Sequence, residues 1–126
     1  MRPAGAGLLT LLRMENVLLV ILAVAFAGAG LMKLVGAGPT VANFERWRTP
    51  TWSRPIVGAI EVGIAVAAVW GLLGSKAGEQ LAGLLALWVM IGALVVHGMA
   101  GDKIKETAPA FVLLIVAIVL LATTTK

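Results

Sequence analysis

The sequence predicts an all-α fold, an integral membrane four-helix bundle with little mass outside the bilayer. Of its 126 residues, 60% are hydrophobic and only 13% are charged, whereas soluble domains carry about 25% charged residues. A chain this short could not bury so much apolar side chain in a water-soluble globule. Four apolar runs approach the roughly 17–25 residues that cross a hydrocarbon core. None has the two-residue alternation typical of membrane strands.

The four runs define the expected elements. The first three are long enough to span directly, and the fourth reaches that length with the polar residues at its ends. The first run follows basic residues, as a signal peptide would, but it is long enough to span and no polar domain follows it. We therefore expect it to be retained. The predicted single membrane domain covers residues 1–126, with helices at about 17–35, 56–73, 81–99 and 108–122.

Glycine and proline mark the connections between the runs. Gly36-Ala37-Gly38-Pro39 is expected to stop the first helix, and Pro55 and Pro109 are each expected in a first helical turn, where proline is tolerated. Short connections favour antiparallel neighbours. We therefore expect four spans with both termini on one side of the membrane.

The longest connection, residues 40–54, is amphipathic. Val41, Phe44 and Arg48 would share one helical face, which favours a short interfacial helix with Trp and Arg at headgroup level. The alternative is a lid over a pocket. The candidate lid or interface residues are Phe44, Arg46, Trp47, Arg48 and Trp52.

Three ionisable residues lie within the predicted spans. Lys33 is near the end of the first helix, Glu61 near the start of the second and His97 near the end of the third. Antiparallel helices place these three positions at one membrane face, within roughly 4–8 Å of a common depth. We therefore predict that Lys33 and Glu61 pair and that His97 lies on the same side of the bundle.

Burial of the Glu61 carboxyl group in the membrane carries a free-energy cost. An acidic side chain at the bilayer centre costs about 2.5–3.5 kcal/mol on insertion scales, so the carboxyl group must be protonated or find a cation. Lys33 is the available cation, and His97 could add a hydrogen bond. The cluster is either a structural lock between helices or a site for a polar headgroup, and the sequence leaves both open.

Composition excludes several functional classes. The chain has no cysteine, which rules out thiol redox chemistry and disulfides. A lone histidine is not a metal site, so no metal is expected. The net charge is +4, but the basic residues lie mostly between apolar runs, where they would meet anionic lipid headgroups. We therefore expect the lipid bilayer as a partner and no nucleic acid.

The polar spans resemble a known family. The runs Phe26–Gly36 (FAGAGLMKLVG) and Gly58–Gly63 (GAIEVG), followed by His97 late in the third helix, are similar to the DoxX-like membrane proteins. The resemblance covers essentially the whole chain and implies a four-helix membrane fold. Some relatives are subunits of a thiosulfate:quinone oxidoreductase or are tied to quinone and oxidative-stress responses. Distant animal relatives act as receptor-assembly chaperones.

These relatives imply two functional hypotheses. The first is a small membrane subunit or accessory protein, linked to a quinone, whose headgroup binds at Lys33, Glu61 and His97. The second is a non-enzymatic assembly or lipid-binding protein, in which the same residues lock the bundle. No redox cofactor motif is present, so quinone is the one cofactor suggested. A partner membrane protein or a homo-oligomer would fit either hypothesis, and the resemblance implies a multi-pass protein of a bacterial cell membrane.

A third hypothesis is a small proton-coupled exporter that uses Glu61. Small multidrug exporters have this size, but they place their essential Glu in the first helix. Here that helix carries Lys33 instead.

Overall fold

The computed structural model describes residues 13–124, and all regular structure in that part of the chain is helical. Four helices are long and apolar enough to cross a membrane, which confirms the predicted fold class. A short fifth helix lies in the chain between the first and second of these long helices. The helices are α1 (Met14–Val35), α2 (Gly38–Arg46), α3 (Ser53–Leu72), α4 (Lys76–Ala100) and α5 (Ile104–Thr124).

The long helices form a closed ring in chain order. Helix α1 packs most extensively against α3, α3 packs against α4, α4 against α5, and α5 returns to α1. Large apolar side chains fill the centre, and many others face outward, where lipid would cover them; Trp88, for example, is 68% exposed. The largest fully buried side chains are Phe26, Leu19, Leu22, Ile64 and Leu120.

Two glycines allow α1 and α3 to cross closely. A Cβ atom added to Gly30 would lie 2.7 Å from the carbonyl oxygen of Gly58, and one added to Gly58 would lie 2.8 Å from the carbonyl oxygen of Gly30. Small residues at such crossings let helix backbones approach within van der Waals contact. The two glycines therefore bring the backbones of α1 and α3 into direct contact.

The long connection contains the expected short helix. Gly36 takes a left-handed conformation (φ 72°) that ends α1, and Pro39 lies in the first turn of α2, so this Gly–Pro segment also starts a helix. Phe44 points inward and is buried. Arg48 does not share its face as predicted, because α2 ends at Arg46 and Arg48 itself is left-handed (φ 57°).

The position of Pro109 differs from the prediction. Helix α5 begins at Ile104, so Pro109 lies inside the helix rather than in its first turn. The polar residues before the apolar run extend the helix toward its N-terminus, where the Thr107 hydroxyl donates to the carbonyl oxygen of Lys103. Because proline has no backbone N–H, Pro109 cannot form the helical hydrogen bond to the carbonyl oxygen of Lys105. This missing bond lies near the polar end of the helix.

Candidate functional site

The Gly30–Gly58 crossing positions the predicted ion pair. Lys33 and Glu61 each lie three residues beyond a crossing glycine, which is nearly one helical turn. Their side chains meet with 2.7 Å between Lys33 Nζ and Glu61 Oε1, and the Glu61 side chain is only 4% exposed. The predicted pairing of these two residues is therefore present.

The Glu61 carboxylate keeps unused hydrogen-bonding capacity. The contact with Lys33 has the distance of a charge-assisted ion pair, and no other described residue donates a hydrogen bond to the buried Oε1. Arg54 at the start of α3 instead donates to the backbone carbonyl of Lys33, which supports the end of α1. The charges of Lys33 and Glu61 therefore compensate each other, while the Glu61 carboxylate can still accept further hydrogen bonds.

His97 does not join this pair. Its Nδ1 lies 2.6 Å from Oδ2 of Asp102, so the partner of this nitrogen is Asp102 and not Glu61. The end of α4 explains the difference. Gly101 is left-handed (φ 68°), and the amides of Gly101 and Asp102 bond back to the carbonyls of Gly98 and His97. This Schellman turn folds the Asp102 side chain back onto His97.

Asp102 is the centre of a second polar cluster. Arg46 donates from Nε to Oδ1 (3.2 Å) and from Nη2 to Oδ2 (3.0 Å), and the indole N–H of Trp47 donates to Oδ2 (3.0 Å). The hydrogen bonds from Arg46, and after them those from Trp47 and His97, lower the pKa of Asp102 to about 2. Asp102 is therefore an anion across the physiological pH range.

The predicted helices leave Asp102 in a connection, where no sequence pattern predicts a role for it. The sequence contains a local signal for the contact between Asp102 and His97, because Asp102 directly follows Gly101 at a helix end and lies five residues after His97. That spacing is the one across which a Schellman turn returns the chain to the last helical turn. The partners Arg46 and Trp47 lie 56 and 55 residues away and have no comparable local signal.

A cavity of about 330 Å³ lies between α3 and α4, below α2. Lys33 is the charged residue in its lining, and Phe44 and Trp47 contribute aromatic rings 5.2 Å apart between centroids. The remaining walls are largely apolar and include Ile60 and Val89. Such a space suits an apolar ring that presents a polar atom to one donor.

The candidate lid residues divide into two groups. Phe44 and Trp47 cover the cavity, and Arg46 ties α2 to Asp102. Arg48 and Trp52 are exposed and do not line the cavity; Trp52 is 64% exposed. Residues 44–47 thus contribute both to the cavity lining and to the contact with Asp102.

A separate groove of about 520 Å³ opens between α4 and α5. His97 and Asp102 form its polar end, and Phe111 and Val112 are part of its apolar wall. The Trp47 ring meets the His97 ring edge-on at 5.3 Å, so these two side chains separate the cavity from the groove. In the part of the chain that the structure describes, no three His, Cys, Asp or Glu side chains converge as metal ligands.

Comparison with known proteins identifies one family. The model of the DoxX-like family matches residues 17–120, which include both polar clusters. No curated protein and no solved structure matches the chain.

Proposed function

This chain belongs to the DoxX-like family, and we propose that it is a small accessory membrane protein that binds the headgroup of a quinone in the cavity beside Lys33. The membrane-embedded character follows from the four apolar helices. The choice of ligand rests on the chemistry of the cavity. A bacterial cell membrane is the location we expect.

The position of Lys33 is the observation that carries the proposal. Lys33 is the charged residue in an otherwise largely apolar lining, and its ammonium group is a hydrogen-bond donor. A quinone has the complementary pattern, since its flat ring suits aromatic walls and its carbonyl oxygens accept hydrogen bonds. Glu61 occupies only part of the donor capacity of Lys33, because an ammonium group has three N–H bonds.

The residue types in the two polar clusters support an accessory role. Neither polar cluster provides a redox centre, and the chain has no cysteine. The protein's own residues can hold, orient and shield a headgroup, and a partner enzyme would carry out electron transfer. A homo-oligomer or a partner membrane protein would contact the exposed apolar faces of the bundle.

The competing function is assembly, with the polar residues acting as a structural lock. The specific observation in its favour is the burial of Glu61 against Lys33, which links α1 to α3 directly. A lock requires no ligand in the cavity. The two functions therefore differ in whether the cavity binds a quinone.

The test is saturable binding of a short-chain quinone analogue to the protein in nanodiscs, measured alongside its melting temperature. Lys33→Met should lose binding because the donor is gone. Gly92→Leu should also lose binding, since Gly92 lines the cavity and has no atom within 4 Å of its Cβ position. Gly63→Leu is the matched control, because Gly63 is equally open but lies outside the cavity lining.

The outcomes separate the two functions. The quinone site is supported if binding is saturable in the wild type and in Gly63→Leu. Binding should then be lost in Gly92→Leu while the melting temperature of that variant is preserved. Absence of saturable binding in the wild type rejects quinone and supports the assembly role.

A further inference from the structure

The His97–Asp102 pair faces the α4–α5 groove rather than the cavity beside Lys33. His97 and Asp102 both line that groove, whereas neither lines the cavity. The groove therefore has its own polar chemistry, separated from Lys33 by the ring of Trp47, which lines the cavity and contacts His97.

Asp102 determines which ring nitrogen of a neutral His97 carries the proton. The 2.6 Å contact joins Nδ1 of His97 to an Asp102 carboxylate that also accepts two hydrogen bonds from Arg46. Because an ionised carboxylate only accepts, the proton of the neutral imidazole is held on Nδ1 and Nε2 carries the lone pair. No described residue forms a hydrogen bond with Nε2.

The other polar side chains at this end of the groove also lack free donors. The Thr107 hydroxyl donates to the carbonyl of Lys103, which leaves its oxygen as an acceptor. Arg46 is directed at Asp102, Asn43 and Glu106 and does not line the groove. The polar side chains at this end of the groove thus present acceptors, and its walls are largely apolar.

We propose that this groove is a second ligand site, which binds a neutral amphiphile through a hydroxyl group that donates to Nε2 of His97. The hydroxyl, a phenol or an alcohol, sits at the polar end, and the apolar body lies against Phe111 and Val112. An anionic headgroup is disfavoured because it would face the Asp102 carboxylate. A carbonyl is disfavoured because it offers no donor. The site is independent of the proposed quinone cavity, which presents a donor at Lys33.

The sequence makes a direct test available, since His97 is the only histidine in the chain. Protein labelled with ¹⁵N-histidine and placed in nanodiscs under mildly alkaline conditions gives one signal for each ring nitrogen. We expect a protonated Nδ1 and an unprotonated Nε2. The probe is 4-nonylphenol, and its methyl ether is the matched compound without the hydroxyl hydrogen.

The expected result is a saturable shift of the Nε2 signal with the phenol and none with the ether. The phenol should bind roughly three- to tenfold more tightly than the ether, the range given by one net hydrogen bond. Gly98→Leu should abolish the shift, because Gly98 lines the groove and is open at its Cβ position. Gly92→Leu should leave the shift unchanged, because it fills the other cavity.

Three results would overturn the proposal. Equal shifts with phenol and ether would mean simple partitioning into the bilayer. A wild-type Nε2 signal that does not respond to the phenol would mean that no such site exists. A response to a long-chain alkyl phosphate but not to the phenol would mean that the groove recognises anions. None of these outcomes depends on whether a quinone binds beside Lys33.

Discussion

The side chains of Arg46 and Asp102 are joined by two parallel hydrogen bonds, although 56 residues separate them in the sequence. This paired geometry is the strongest form of an arginine–carboxylate contact. It ties the end of α2 to the turn between α4 and α5. Phe44 and Trp47, which cover the cavity, are therefore held close to the turn after α4 by one carboxylate.

Loss of the Asp102 charge should release α2. In Asp102→Asn the amide offers one acceptor oxygen to Arg46, Trp47 and His97, which all bond to the carboxylate in the native protein. We expect faster hydrogen–deuterium exchange in residues 38–47 and little change within α1. Glu106→Gln is the control, because Glu106 is half exposed and 3.6 Å from Arg46, and such surface pairs contribute little. Unchanged exchange of α2 in Asp102→Asn would mean that the packing of Phe44 alone holds the cover.

The lowered pKa of Asp102 predicts in which direction the stability of the folded protein changes with pH. The folded state lowers the pKa of Asp102 from its ordinary value of 3.8 to about 2. Its stabilising contribution is therefore fully present above pH 3.8 and is lost as the pH falls toward 2. The measurement compares the melting temperatures of His97→Gln and His97→Gln/Asp102→Asn in detergent, so that the neighbouring imidazole is absent from both proteins.

The difference between these two melting temperatures should stay constant from neutral pH to about pH 5 and shrink below pH 4, following the depressed pKa of Asp102. Removal of His97 takes away a minor contact, and the bonds from Arg46 keep the pKa low. A difference that already shrinks near pH 6 would contradict the assignment of Asp102 as a permanent anion.

The Lys33–Glu61 pair should respond unequally to loss of either partner. Lys33→Met leaves the nearly buried Glu61 without a cation, at a cost of about 3 kcal/mol unless the carboxyl group takes up a proton. Glu61→Gln leaves Lys33, which can extend toward the headgroups and should cost about 1 kcal/mol. Unfolding by denaturant in detergent measures both. A larger loss in Glu61→Gln would show that Lys33 cannot reach the interface.

The sequence predicted the four spans, because apolar length is a local property that the bilayer requires. It also predicted the Lys33–Glu61 pair, because alternating helix direction fixes which ends share a membrane face. It could not place His97, since depth alone does not say toward which groove a side chain points. The partner of His97 depends on the Schellman turn at Gly101, and the fastening of α2 depends on contacts between distant parts of the chain.

The Gly30–Gly58 crossing leads to the last prediction. An Ala at Gly30 would place its methyl group 2.7 Å from the Gly58 carbonyl oxygen and 2.8 Å from the Val62 backbone nitrogen. Backbone atoms cannot rotate away as a side chain can, so α1 and α3 must separate. We expect Gly30→Ala to destabilise the bundle by about 1–3 kcal/mol, the usual range for overpacking.

Gly28→Ala is the matched control on the same helix, because nothing lies within 4 Å of its Cβ position. Since alanine is the better helix former, this variant should be neutral or slightly stabilising. The separation caused by Gly30→Ala should also weaken the ion pair, which lies one turn beyond the crossing. Lys33→Met should therefore cost less in the Gly30→Ala background than in the wild type, because part of the contact has already been lost. Strictly additive effects of Gly30→Ala and Lys33→Met would mean that the pair forms independently of the crossing, and the glycines would then not be what positions Lys33 and Glu61.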